Sequence, residues 1–180
     1  MTAAIPEFHR GPTIRPATAA DAPAIARIHV EAWRHAYRGI IPAAHLDALS
    51  IERRTAGWEK NLRENRDAVL VAEVAGSVVG WISFGRCRDE GEAHEAELYA
   101  IYLDTAHQRA GIGRLLMTEA ECALATLAPI ATRLSLWVLA RNEPTRRFYE
   151  RLGYAPGTRE KNELIGGEPF TEIRYEKSLP

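Results

Sequence analysis

Several absences in this chain of 180 residues narrow its chemistry before any motif is considered. It holds two cysteines, Cys87 and Cys122, too few for a disulfide scaffold and without metal-type spacing. Such sparse cysteine suits a reducing compartment, so the expected location is the cytoplasm. No apolar run approaches the roughly 20 residues needed to cross a bilayer, so no membrane-spanning segment is expected. The formal net charge is -1 and basic residues alternate with acidic ones, which leaves no cationic stripe for nucleic acid or an anionic membrane. No grouping of His, Cys and carboxylate residues resembles a metal site. Repeats, low-complexity tracts and dividing linkers are also missing. With 46% hydrophobic residues the chain is long enough to bury a sizeable core, and it reads as one domain over residues 13–180 behind a flexible segment, residues 1–12.

The residues that are present alternate between strand and helix periodicities. Thr13–Pro16 reads as a short strand. Thr18 or Asp21 then caps a helix whose Ile25, Ile28, Ala32, Trp33 and Ala36 recur at helical spacing, and Pro23 favours Asp21 as the cap. Gly39 and Pro42 end it. A second helix is expected over Ile51–Arg63, with Trp58 and Leu62 one turn apart. Val69, Leu70, Val71 and Val74 form a β-rich run. Ala75 to Ser77 supplies a turn, and Val78–Gly85 returns as the other arm of a hairpin with its far loop over Arg86–His94. Glu97–Leu103 is a further strand. Leu115, Leu116, Ala120, Ala123, Leu124 and Leu127 mark an amphipathic helix closed by Pro129. Arg133–Leu139 is a strand, Glu143–Leu152 a short helix, and Phe170–Lys177 a last strand. The class is α/β of the α+β type, with a mixed sheet.

The segment between the Glu97 strand and the amphipathic helix carries the main signal: Gln108, Arg109, Ala110, Gly111, Ile112, Gly113, Arg114. Glycines let the backbone turn sharply and approach a ligand, and free N–H groups at a helix start attract phosphate. Arg109 and Arg114 add positive charge. A dinucleotide-binding turn would place a third glycine where Leu116 stands, and a P-loop would follow Gly113 with Lys and then Ser or Thr instead of Arg114 and Leu115.

The pattern Gln108, two residues, Gly111, one residue, Gly113 resembles the signature of the GNAT superfamily of N-acetyltransferases. The strand Glu97–Leu103 is similar to that family's central strand, and Asn142 followed by Phe148, Tyr149 and Gly153 resembles its downstream motif. The resemblance covers about residues 13–177. It implies a mixed, mostly antiparallel central sheet with flanking helices, in which two parallel strands, here Glu97–Leu103 and Leu134–Leu139, splay apart around the pantetheine arm of acetyl-CoA. By this resemblance Ile101, Tyr102 and Leu103 offer main-chain groups to pantetheine, residues 108–114 hold the pyrophosphate, and Asn142 contacts the cofactor. An Asn ahead of Glu143 and Pro144 is also a good helix N-cap, and the two roles are compatible.

The implied reaction moves an acetyl group from acetyl-CoA directly to a primary amine of a small molecule or peptide. An alkyl ammonium of pKa about 10.4 must lose a proton before attack, and a departing thiolate must gain one. Glu97 is the candidate base, as the strand carboxylate that in the family relays a proton through water, with Glu95 on the same face as fallback. Tyr149 is the candidate acid. The oxyanion is expected to take a backbone N–H near Leu103, where the strand bulges. Trp33, His35, Tyr37 and His45 are candidates to touch the acceptor, though Trp33 reads as core, and Trp81 and Trp137 read as packing residues. N-terminal acetyltransferases of ribosomal proteins place a Glu five residues before the motif Asn, where this chain has Trp137. Many relatives are dimers, which makes a homodimer an option. The competing class is a catalytically silent CoA-binding domain with a regulatory or interaction role.

Overall fold

The computed structural model describes residues 11–89, 92 and 94–179. The N-terminal segment expected to be flexible lies largely outside the described residues, as does part of the loop expected over Arg86–His94. The elements run β1 (Thr13–Pro16), α1 (Ala22–Ala36), α2 (Ala43–Asp47), α3 (Ile51–Glu64), β2 (Ala68–Val74), β3 (Ser77–Arg86), β4 (Glu95–Leu103), α4 (Ile112–Leu127), β5 (Arg133–Leu139), α5 (Glu143–Arg151), β6 (Ala155–Ile165) and β7 (Glu168–Ser178). The seven strands form one open sheet in the order β1-β2-β3-β4-β5-β7-β6. Only β4 and β5 are parallel; every other neighbouring pair is antiparallel. The mixed, mostly antiparallel sheet is therefore as expected.

Alternation along the strands sorts their side chains onto two covered faces. Ile82, Phe84, Ala96, Leu98, Leu134 and Leu136 pack with Leu116, Met117, Ala120 and Leu124 of α4, the apolar stripe that the sequence showed. On the other face Val69, Val71 and Trp81 pack with Ile25 and Ile28 of α1 and with Trp58 and Leu62 of α3. Trp81 is fully buried, its ring 4.6 Å from that of Trp58 in an edge-on contact, so it is the packing residue expected. A third cluster, Ile41, Leu46, Leu139, Ile165 and Phe170, joins α2 to β5 and the β6–β7 hairpin and closes one end of the molecule.

Asp21 stands at the N-cap of α1 with Pro23 in the first turn, but its carboxylate makes no forward cap bond. It turns back to accept from the Thr18 N–H at 2.8 Å and from both terminal nitrogens of Arg15, also at 2.8 Å. Those bonds, with the Arg15 pair foremost, hold its pKa down at about 2.

Candidate active site

α4 begins at Ile112, directly after Gly111, whose φ of +82° places it in the left-handed region, and Arg109 is also left-handed at +63°. The first α4 backbone bond runs from Leu115 N–H to the Gly111 carbonyl, and among the described residues nothing accepts from the N–H groups of residues 109–114. Unpaired amides at a helix start, reinforced by the helix dipole, make an anion site. Gly113 lines the cleft and serves packing as well. A Cβ there would lie 3.3 Å from the Phe148 ring and 3.4 Å from Leu103, so glycine lets the start of α4 seat against α5 and β4. Gln108, Arg109 and Arg114 line the adjoining cleft; Ala110 and Ile112 are not lining residues, and Ile112 anchors the turn by burying its side chain in the core. Arg147 and Arg151 of α5 also line the cleft, one helical turn apart and both exposed. Sequence reasoning missed them, although their i, i+4 spacing on the helix carrying Tyr149 was a usable signal.

The cleft continues into the sheet. β4 and β5 pair only from Glu95↔Arg133 to Leu98↔Leu136, while β4 runs on to Leu103 and β5 to Leu139. Beyond Leu98 the strands part, and residues Leu98–Leu103 and Trp137–Leu139 line opposite walls of a cavity of about 980 Å³. Through Ala100 to Leu103 one edge of β4 is taken by β3, so the other faces the gap. The expected bulge near Leu103 is not there: Leu103 pairs in register with Gly80, and the irregularity falls where Ser83 opposes Ala100 and Phe84 opposes Leu98, leaving Tyr99 as the extra residue. The bulge thus sits where the two parallel strands begin to part.

A family model for the acetyltransferase (GNAT) family matches residues 25–154. The chain belongs to the GNAT family. It is 35% identical over 162 residues to an uncharacterized N-acetyltransferase, YuaI, of Bacillus subtilis (strain 168), covering 89% of this chain and 90% of the relative. Among solved structures it is similar to yncA of Salmonella typhimurium, solved with its cofactor acetyl-CoA, at 26% identity, TM-score 0.70 and 95% coverage of both chains. It is also similar to a ribosomal-protein-alanine N-acetyltransferase of Brucella melitensis, at 28% identity, TM-score 0.69 and coverage of 93% and 99%. The chain is thus an acetyl-CoA-dependent N-acetyltransferase. Among the described residues no cluster of potential metal ligands occurs.

This GNAT cleft holds free amides and arginines, an unpaired strand edge and Tyr149, groups whose chemistry fits acetyl-CoA. Tyr149 is buried and lines the cleft, and burial raises its pKa, with the neighbouring Tyr37 adding to the rise. Asn142 is buried beside it and does cap α5, its Oδ1 accepting from Thr145 N–H at 3.4 Å. It also lines the cleft, so position and cap coexist.

Neither β4 carboxylate is among the cleft-lining residues, and arginines hold both. Glu97 accepts from the Arg88 N–H at 2.9 Å and from its guanidinium at 2.6 and 3.2 Å. Glu95 is bound by Arg174, with Arg133 3.6 Å away. A different acid lines the cleft: Glu172 of β7, opposite Leu139 of β5. The strand was legible, but not which of its residues reaches the cavity.

Aromatic residues form the remaining wall. Trp33, read as core from its helical stripe, instead lines the cleft and donates from Nε1 to the Tyr102 hydroxyl at 2.8 Å. Tyr37 stands edge-on to it at 5.0 Å. Trp137, read as packing, is another lining residue; its indole N–H is buried without a partner, and Lys161 Nζ lies 4.3 Å from its ring centre. Of the two histidines, His35 is exposed on α1, and His45 lies behind Trp33 with ring centres 6.4 Å apart.

Proposed function

We propose that acetyl-CoA lies along this cleft with its pyrophosphate on residues 108–114, its pantetheine arm against Ile101, Tyr102 and Leu103, and its thioester beside Tyr149 and Asn142. The acetyl group then passes directly to a primary amine of a small molecule or peptide. The observation that carries this reading is that the unpaired N–H groups at 109–114, the free edge of β4 and the buried Tyr149 share one cleft.

In the proposed reaction the amine lone pair attacks the thioester carbonyl and a C–N bond forms. The tetrahedral oxyanion then collapses with loss of the C–S bond, the Tyr149 hydroxyl gives its proton to the sulfur, and the proton that the nitrogen sheds on becoming an amide restores the phenol. A phenol held above its ordinary pKa of about 10 stays protonated at neutral pH. The same desolvation disfavours a bare thiolate, so the proton moves between two groups raised together. No covalent enzyme intermediate is required.

Similarity to the Brucella enzyme raises a peptide acceptor. Trp137, at the position where the ribosomal-protein enzymes are expected to carry a Glu, favours a small amine. The two free cysteines support a cytoplasmic setting. Incubation with acetyl-CoA and a broad amine panel, followed by thiol release, tests the reading. Acceptor-dependent thiol supports it. Tight CoA binding with no acceptor-dependent thiol would instead support a silent CoA-binding domain.

A further inference from the structure

We propose that Glu172 is the carboxylate that meets the acceptor's ammonium, and that this acceptor is a primary amine on an apolar, aromatic-sized body. The inference rests on the transferase reading above and adds the acceptor's chemistry to it.

Glu172 is the carboxylate among the cleft-lining residues, and its side chain is 19% exposed. Trp33, Tyr37, Tyr102, Trp137 and Ile165 line the same cavity, and Lys161 reaches both Glu172 and the Trp137 ring. The Trp33 N–H is spent on the Tyr102 hydroxyl, which leaves the Trp137 N–H as the one free indole donor of this wall, too little for a polyhydroxylated ligand. Ring faces stack well on apolar and aromatic groups, and they attract cations. A second positive charge on the acceptor is disfavoured, because Lys161 Nζ already lies 3.5 Å from Glu172 and the Arg54 guanidinium sits 6.0 Å from the Trp33 ring centre.

Burial raises the Glu172 pKa, Lys161 opposes that rise, and Glu163 and Glu97 reinforce it. Tyr37, on the segment that ends α1, feels the Glu172 charge in turn. A carboxylate shifted upward is a better proton acceptor near neutral pH. Seated against Glu172 in the cleft, the ammonium gives it one proton as the amine attacks, and the carboxyl returns that proton to water after transfer.

The test compares phenethylamine, hexylamine, spermidine and glucosamine by thiol release, with wild type, Glu172→Gln, Glu172→Asp and Glu97→Gln, each checked for CoA binding by calorimetry. The first two amines should exceed the others by about tenfold or more in kcat/KM. Glu172→Gln should raise the amine KM by about tenfold or more while the CoA Kd stays within about twofold, since an unpaired ammonium in a desolvated site costs more than about 1.4 kcal/mol. Glu172→Asp should recover part of that loss, and Glu97→Gln should cost less than Glu172→Gln. An unchanged amine KM in a CoA-binding Glu172→Gln overturns the assignment, as does a larger loss from Glu97→Gln. Spermidine or glucosamine as the better substrate overturns the acceptor class. No turnover of any amine, with CoA still bound, also overturns the class and leaves the donor site standing.

Discussion

At the end of the cleft proposed to hold the donor, the groups on offer are mostly main-chain, six amides at residues 109–114 and the free edge of β4, with exposed arginines around them. At the end proposed for the acceptor they are side chains, namely the rings of Trp33, Tyr37, Tyr102 and Trp137 and one carboxylate, brought in by α1 and its end, β4, β5 and β7. The first arrangement depends on backbone conformation and tolerates changes of most side chains. The second depends on each side chain and tolerates changes of backbone only insofar as the rings stay together. A fold built this way keeps one donor while its acceptor is free to change by substitution at a few positions, and functions of a shared fold diverge in this manner.

Variants at the two ends should therefore fail differently. The largest effect is expected where they meet. Tyr149→Phe should lower kcat by about 10²-fold or more while the acetyl-CoA KM stays within about twofold, measured by steady-state thiol release. Equal kcat would remove the hydroxyl from proton transfer. Next, Gly111→Val should weaken CoA by about tenfold or more in calorimetry, because a β-branched residue is strained at φ of +82°. A Cβ there meets no protein atom, so the loss should come from the backbone and the ligand rather than from a clash in the core. Wild-type affinity in a folded Gly111→Val would break the main-chain account of the donor end. A smaller effect is expected from Arg147→Ala with Arg151→Ala. The pair should raise the acetyl-CoA KM about three- to tenfold at low salt, with the difference shrinking as salt screens exposed charge, and should leave the amine KM alone.

The subtlest test concerns what stands behind the aromatic wall. His29 is buried with neither ring nitrogen partnered, packed against Trp33, Trp81 and Tyr102 at 5.1 to 5.7 Å between ring centres. Burial, aided by the charge of Arg54, pushes its pKa down to about 3. Between that value and the ordinary 6.5 the unfolded chain binds a proton that the folded chain does not. Stability is therefore complete above pH 6.5 and falls as pH drops through this window, by about 2 kcal/mol at pH 5. His29→Phe should flatten that slope in melting curves from pH 7.5 to 5, a range in which Asp21 does not contribute because its shift acts at more acid pH. A slope that survives the substitution would assign the acid sensitivity elsewhere.

Most of the frame could be read from the sequence because its signals are local. Gln108, Gly111 and Gly113 lie within six residues, and the stripe from Leu115 to Leu127 fixes both the helix and its buried face. Two elements escaped. β6 carries Arg159, Glu160, Lys161 and Glu163 with nearly every side chain exposed, so an edge strand held only by β7 shows no alternation of apolar residues. α2 is five residues long, too short for periodicity to register. The acceptor end was harder for a different reason. The last strand was found, yet Glu172 became a cleft residue only through its pairing with Leu139, across 33 positions of chain. Trp33 and Trp137 were assigned to packing because a ring on an apolar stripe looks the same in sequence whether its outer face meets protein or a cavity.

The separation of β4 from β5 also has a mechanical side. Among the described residues four cross-strand pairs, Glu95↔Arg133 to Leu98↔Leu136, tie the strands on one side of the sheet to those on the other. A plate seamed along part of its length bends most easily at the open part of the seam, and an acetyl-CoA lying there would act as a stitch. Slower amide hydrogen exchange at residues 99–103 when CoA is added, with no change along β1 and β2, would be its signature. The stiffness of the whole sheet would then vary with the supply of its own donor.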